Sequence, residues 1–340
     1  MPGGRDLRPR GPSEPVGFVG NTDEAWFRFL RGLAAEKARA GERLEEVNFW
    51  RPASEQEFHA ATPGAPFFFR LKSPHNAIAG FGYFARAVPV PLTTAWEVFE
   101  KLNGAATFVE FRDSILSLRR RLRGREAASD PDPRITCLMI SEPCFFEDAN
   151  WVSQPADWSR NIVSGKAYSV VSGEGARLWA DCRARECVGY PTTSGREAAT
   201  SGVAEDARYG PGHLVRPRLG QGSFRLAVTD AYGMACAVTG EHSLPVLEAA
   251  HIQPFSEGGP HQVANGILLR ADLHRLYDRG FVTVTPDLEF RVSPSLKERW
   301  GNGRSYDLYR GNTVSVPEDP ADRPDRDLLE RHFRETFLAT

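Results

Sequence analysis

The stretch that decides the fold of the C-terminal half is residues 246–280, VLEAAHIQPFSEGGPHQVANGILLRADLHRLYDRG. Its first residues, 246–252, are mostly apolar and end before a proline, which predicts a strand. Two glycines within 256–260 predict a turn, and 266–269 predict a second strand. Residues 271–279 have helical spacing and are followed by a glycine, which predicts a short helix. The predicted order is strand, loop, strand, helix.

The polar residues of this stretch fall where a small hydrolytic site needs them. His274 and Asp278 lie four residues apart on the predicted helix, so they share one face and could bind one divalent ion, Mg²⁺, Mn²⁺ or a transition metal. His251 ends the first strand, where a neutral imidazole could take a proton from water. Asn265 could fix the loop or the base through its amide. A base for water and a metal at the phosphate are the parts that phosphodiester hydrolysis requires.

These residues resemble the motif of HNH (ββα-metal) endonucleases, in the branch common among bacterial restriction enzymes. The resemblance runs from about Arg216 to Leu308. It implies that His251 is the general base, that Asn265 is an orienting residue, and that His274 is a metal ligand. Asp278 stands where a second helix ligand is often found. The cofactor implied is a divalent metal, and the partner implied is DNA.

One position departs from the family pattern. Many members carry Asp or His directly before the base as a further ligand, and this chain has Ala250 there. Strand alternation places Glu248 on the same side, so Glu248 is a substitute metal ligand or, alternatively, a surface or supporting carboxylate. A catalytically idle DNA-binding or regulatory protein that retains the HNH fold is therefore the second interpretation.

The overall charge gives no general attraction to nucleic acid, because the formal net charge is -2. DNA contacts must then come from local patches, and arginines close to the motif can clamp phosphates. We expect DNA contacts from Arg216, Arg218, Arg225, Arg270 and Arg275. His261 is expected to be a solvated turn residue.

A length of 340 residues allows two domains, and the predicted fold class is α+β. Residues 1–15 predict a flexible tail, 16–189 a mixed β domain, 190–213 a linker, and 214–340 the HNH domain. In the N-terminal half a helix follows Asp23, a second spans 93–104, and strands are predicted at 47–50, 66–71, 77–85 and 135–140. A final helix is predicted at 325–338.

The N-terminal half resembles the PUA-like superfamily, including EVE-type domains, in its NFW, FFFRLKSPHN and GFGYF segments and its AWEVF helix. Such domains are associated with recognising modified bases in an aromatic pocket. The residues expected at that pocket are Trp50, Phe69, Lys72, His75, Asn76 and Tyr83. The alternative is that Trp50 and the phenylalanines form core.

The five cysteines contain no C-x-x-C pair, which argues against a disulfide framework or a four-cysteine zinc site. No leader or membrane span is predicted, so the cytoplasm is the expected location. Cutting both DNA strands usually needs two active sites, so a homodimer is an open alternative, and RNA is an open alternative substrate.

Overall fold

The structure is a computed structural model that describes residues 14–52, 58–124, 129–185, 187–188, 219–301 and 304–339. The predicted tail at 1–15 lies outside these residues except for its last two positions. The predicted linker at 190–213 lies outside them entirely. Arg216 and Arg218 also lie outside the described residues.

A mixed sheet runs through the N-terminal half, with seven strands in the described part of the chain. Their bounds are β1 Val16–Thr22, β2 Glu46–Arg51, β3 Pro66–Leu71, β4 Ala77–Pro91, β5 Arg134–Phe145, β6 Val152–Ser153 and β7 Gly165–Ser169. The strand order is β2-β5-β4-β3-β1-β7, and β6 pairs with β4. β1 is parallel to β3 and antiparallel to β7, whereas β3 is antiparallel to β4. All four predicted strands form.

The helices of the N-terminal half are α1 Glu24–Arg39, α2 Leu92–Phe99, α3 Phe108–Arg123 and α4 Gly173–Arg183. The side chain of Asp23 caps α1 by accepting hydrogen bonds from the amides of Ala25 and Trp26. The buried face of α1 carries Trp26, Phe27 and Leu30, as its apolar spacing predicts. The predicted helix at 93–104 becomes α2 followed by a 3-10 turn, Glu100–Asn103.

One residue expected at a base pocket is instead part of the core. Strand β3 is buried along its whole length, and Phe69 has no exposed surface. Its ring stacks on Phe145 at a centroid distance of 5.6 Å and meets the edge of Trp26 at 5.4 Å. Phe69 therefore cannot stack on a nucleobase, because its ring faces are already covered.

A disulfide joins Cys144 at the end of β5 to Cys187 after α4. The cysteine pattern argued against a disulfide framework, and the two cysteines of this bridge lie 43 residues apart in the sequence. Folding brings their Cα atoms to 5.1 Å, within the range that a disulfide spans. The amide of Val188 donates to the carbonyl of Phe145 and holds the two segments together. Cys182 and Cys236 are buried thiols.

The chain divides into two compact units, and the second contains the C-terminal part of the chain. Two segments of the predicted 16–189 module, Val88–Glu100 and Ser129–Cys137, also belong to the second unit. For Val88–Glu100 the physical reason is that α2 packs against the helix Gln221–Ala231.

The C-terminal part contains the predicted strand, loop, strand and helix in that order. Its helices are α5 Gln221–Ala231, α6 Ala271–Asp278, α7 Pro294–Trp300, α8 Arg304–Asp307 and α9 Arg326–Glu335. Its strands are β8 Leu247–His251, β9 Gly266–Arg270, β10 Val282–Val284 and β11 Phe290–Val292. The predicted last helix forms as α9, with the Asp325 side chain as its N-cap. No described helix is long and apolar enough to cross a membrane.

Candidate functional site

The β8, β9 and α6 elements bring the motif residues together. β8 and β9 are antiparallel, and His251 pairs with Gly266 at the end of the ladder. Gly266 has no room for a side chain, because a Cβ atom there would lie 2.5 Å from Val228 and 3.0 Å from Phe224 of α5. Helix α6 begins directly after β9. The α5 helix therefore packs tightly against the strand end that carries His251.

Asn265 clamps the loop that joins the two strands. Its side chain is fully buried, and its Oδ1 accepts a hydrogen bond of 2.9 Å from the Gln253 amide. Its Nδ2 donates to the carbonyls of Gln253 and Pro260 at 3.0 and 2.9 Å. Both amide protons of Asn265 and one acceptor position of its oxygen are thus used by backbone groups, which holds the side chain against the loop.

The ring of His251 is held by stacking. It lies flat on Phe224 at a centroid distance of 4.0 Å and an interplanar angle of 8°. Its Nε2 atom is buried and has no hydrogen-bond partner among the described residues. Burial, with the nearby His261 and His274, lowers the pKa of His251 to about 4. The imidazole is therefore neutral at physiological pH and retains a lone pair for a proton.

His261 is not the solvated turn residue that the sequence suggested. It is 6% exposed, and its Nδ1 lies 2.6 Å from the Leu219 carbonyl. Its ring centroid is 5.4 Å from that of His251. The Gly-Gly-Pro-His sequence is typical of an exposed turn, but Phe224 of α5 lies against the His261 ring at a centroid distance of 6.0 Å.

His274 lies between two carboxylates that face its two ring nitrogens. Its Nδ1 is 2.7 Å from Oε2 of Glu248, and its Nε2 is 3.4 Å from Oδ2 of Asp278. The spacing on α6 thus brings His274 and Asp278 together as predicted from the sequence. The Asp278 side chain is 55% exposed, yet partial desolvation still raises its pKa above the ordinary value.

A cavity of about 220 Å³ opens beside these side chains. It brings together the predicted base and the predicted helix ligands. Its walls are formed by His251, Ile252, Pro254, His274, Tyr277, Asp278, His332 and Thr336. The last two belong to the C-terminal segment and were not predicted.

The C-terminal helix α9 reaches the site through His332. The His332 ring stacks on Tyr277 at 3.8 Å and 8°. Its Nε2 donates to the Tyr277 carbonyl at 3.2 Å, and its Nδ1 accepts from the Thr283 hydroxyl at 2.8 Å. The only sequence signal was its position on the apolar face of a helix, three residues after Leu329.

The donor set fits a divalent ion that retains several water ligands. Among the described residues, no group of three or more His, Cys, Asp or Glu side chains is arranged as a complete metal site. An imidazole and a carboxylate at the cavity nevertheless match Mg²⁺ or Mn²⁺, which commonly take one or two protein ligands together with waters and phosphate oxygens. Ala250 is buried and supplies no donor.

The arginines that we expect to contact DNA differ in their exposure and in their partners within the protein. Arg225 on α5 and Arg275 on α6 are exposed. Arg270 instead forms two hydrogen bonds of 2.7 Å to the carboxylate of Asp272. That ion pair holds the guanidinium at the start of α6, so Arg270 is engaged within the protein.

The residues expected at a base pocket do not form one pocket. Trp50 packs on the core cluster that contains Phe69, and its indole donates to the Asn103 carbonyl at 3.0 Å. Tyr83 packs on a separate cluster beside Trp179. An aromatic pocket that combines Trp50, Phe69 and Tyr83 is therefore wrong, because Tyr83 packs on a different core cluster from Trp50 and Phe69.

The remaining three expected pocket residues lie on the turn between β3 and β4. Lys72 and Asn76 are exposed, and His75 is half-buried. His75 lies against the ring of Trp151 at 4.9 Å, and its Nε2 is 3.1 Å from Glu24. Asn76 accepts a hydrogen bond from the buried Arg70. This turn presents polar groups close to a tryptophan.

Comparison with protein families identifies one domain of the chain. Residues 236–285 match a family model described as HNH endonuclease. The match contains His251, Asn265, His274 and Asp278, so this part of the chain is an HNH domain and the predicted resemblance is confirmed. No curated protein matches the chain.

Three solved structures of one protein are similar to the N-terminal half. They are ASCH from Zymomonas mobilis, with 13% sequence identity and a TM-score of 0.29, and two point variants of it. The variants show 9% and 10% identity and TM-scores of 0.29 and 0.28. Each comparison covers 49% of this chain and 94% or 96% of the other.

Proposed function

We propose that this protein is a metal-dependent endonuclease that hydrolyses phosphodiester bonds of DNA. The observation that carries this proposal is the cavity shared by His251, His274 and Asp278 within the HNH domain. A base and a pair of metal-binding groups thus face one space in which a phosphate could lie.

His251 is the general base in this proposal. Phe224 holds its ring by stacking, and the neutral imidazole, which lines the cavity, takes a proton from a water molecule. The lowered pKa of His251 keeps the imidazole neutral at physiological pH, so that it can accept this proton. Asn265 holds the loop that follows the base, and therefore fixes the position of the imidazole relative to the cavity.

His274 and Asp278 would hold the Mg²⁺ or Mn²⁺ ion through Nε2 and a carboxylate oxygen. When bound, such an ion stabilises negative charge on the phosphate and on the leaving oxygen. Arg225 and Arg275 are exposed on α5 and α6 and would position the DNA backbone through its phosphates. Arg216 and Arg218 remain further proposed contacts.

The N-terminal module would select the DNA, because a small nuclease core reads little sequence by itself. The turn with Lys72, His75 and Asn76 is the surface that we assign to this contact, and modified DNA is the target class we favour. The cellular role would be restriction of foreign DNA in the cytoplasm. Cutting both strands would bring two copies of the chain together on the duplex.

The second proposal is a catalytically idle DNA-binding protein, and Ala250 is the observation that favours it. A buried methyl group stands where many relatives place a ligand, so the ion would have fewer protein donors. An idle protein binds DNA with or without divalent metal and never nicks it.

The test is incubation of the full chain with Mg²⁺ or Mn²⁺ and matched substrates. The substrates are unmodified DNA, the same DNA with modified cytosines, and an RNA of the same sequence. Metal-dependent cleavage of DNA supports the endonuclease, and preference for the modified duplex supports selection by the N-terminal module. Cleavage of RNA alone would replace the substrate class. Metal-independent DNA binding without any cleavage would contradict the proposal in favour of the idle protein.

A further inference from the structure

Glu248 and Asp278 cannot both bind an ion together with His274. The two carboxylates face different nitrogens of the imidazole, Nδ1 for Glu248 and Nε2 for Asp278. These nitrogens point away from each other across the ring. An ion on one nitrogen therefore lies next to one carboxylate and away from the other.

The cavity distinguishes the two nitrogens. Its walls include His251, His274 and Asp278, whereas Glu248 is not among the described residues that line it. The base and the cavity thus lie with Asp278, on the Nε2 side of His274. Glu248, on strand β8, contacts the imidazole at Nδ1, on the side of the ring opposite the cavity.

The position of Glu248 is fixed by the β ladder. It lies opposite Leu269 in the β8–β9 register, and the ladder extends on both sides of it. A carboxylate on a paired strand is placed more accurately than one on a loop. The Glu248 side chain is 42% exposed, and that of His274 is 22% exposed.

We propose that Glu248 is a positioning residue that accepts a hydrogen bond from Nδ1–H of His274 and thereby directs Nε2 to the metal. The inference rests on the proposed function, because it names the role of Glu248 in that same site. A carboxylate behind a metal-binding histidine fixes the proton on one nitrogen and orients the ring. In this chain Glu248 thus supports a ligand and is not itself one.

The experiment uses the full chain and two variants, Glu248→Ala and Glu248→Gln. The glutamine can still accept from Nδ1–H through its amide oxygen, whereas alanine cannot. The first measurement is proton–nitrogen NMR of metal-free protein with labelled histidines, with His274 assigned by the loss of its signal in His274→Gln. We expect a protected proton on Nδ1 in wild type and Glu248→Gln, and its loss in Glu248→Ala.

The second measurement is the affinity for Mn²⁺ by titration calorimetry. Loss of such a supporting carboxylate weakens metal binding by about 10- to 100-fold, so we expect that loss in Glu248→Ala and substantial rescue in Glu248→Gln. Glu298→Ala, which removes an exposed carboxylate elsewhere in the same unit, is the matched control and should bind as wild type does.

Two results would overturn the inference. One is a His274 Nδ1 without a proton in wild type. The other is equal loss of Mn²⁺ affinity in Glu248→Gln and Glu248→Ala, which is the behaviour of a direct ligand. Failure of the proposed function would look different, because a wild type that binds no Mn²⁺ could still show the Nδ1 proton and its dependence on Glu248.

Discussion

Replacing Asn265 with alanine removes the clamp on the loop after the base. Three hydrogen bonds disappear, and their backbone partners are the Gln253 amide, the Gln253 carbonyl and the Pro260 carbonyl. A neutral hydrogen bond contributes about 0.5–1.5 kcal/mol, and a buried group left without a partner costs about 1–3 kcal/mol. Pro260 is exposed and can be hydrated, whereas Gln253 is half-buried. The free energy of unfolding should therefore fall by about 3 kcal/mol.

The assay is urea unfolding of the full chain, followed by circular dichroism, together with the rate of DNA cleavage. Asn312→Ala removes an exposed asparagine side chain of the same unit and should change stability by less than about 0.5 kcal/mol. Asn265→Asp should be as damaging as alanine, because it places a carboxylate oxygen against two carbonyls. An Asn265→Ala protein as stable as the Asn312→Ala control would refute this account of the loop.

Two further predictions concern pH and salt. Burial lowers the pKa of His332 to about 4, whereas a histidine of the unfolded chain is protonated with a pKa near 6.5. The contribution of neutral His332 to the free energy of unfolding is therefore fully present above about pH 6.5 and decreases as the pH falls toward 4. The expected decrease is about 2 kcal/mol at pH 5. Urea unfolding at about pH 7.5 and pH 5 should show this loss in wild type and a smaller one in His332→Gln; equal losses would exclude His332 as the cause. Arg225→Gln and Arg275→Gln should each reduce the slope of log affinity for DNA against log salt by about 1, and an unchanged slope would show that the replaced arginine does not contact phosphate.

The nuclease motif could be predicted because its information is local. The alternation that ends at His251 and the i, i+4 spacing of His274 and Asp278 fix strand, helix and shared face within about 35 residues. Alternation also placed Glu248 on the correct side of β8. The alternation pattern could not predict which nitrogen of His274 contacts the Glu248 carboxylate, because that depends on how α6 packs against β8.

The features that were missed depend on contacts between distant segments. His332 lines the cavity and contacts Tyr277, which lies 55 residues earlier in the sequence. No local sequence pattern predicts that contact. His261 is buried because α5 covers a polar turn. Phe69 was wrongly assigned to the predicted pocket because β3 is buried on both faces, so alternation along this strand could not separate core from surface.

The most direct test of the central claim is DNA cleavage by His251→Ala with Mg²⁺ or Mn²⁺ present, measured beside DNA binding. A general base typically contributes about 10²–10⁴-fold to the rate, so cleavage should fall by at least about a hundredfold while binding remains. His242→Ala, which removes an exposed histidine of the same unit, should cleave as wild type does. Cleavage by His251→Ala at a near wild-type rate would contradict the assignment of the base and the mechanism built on it.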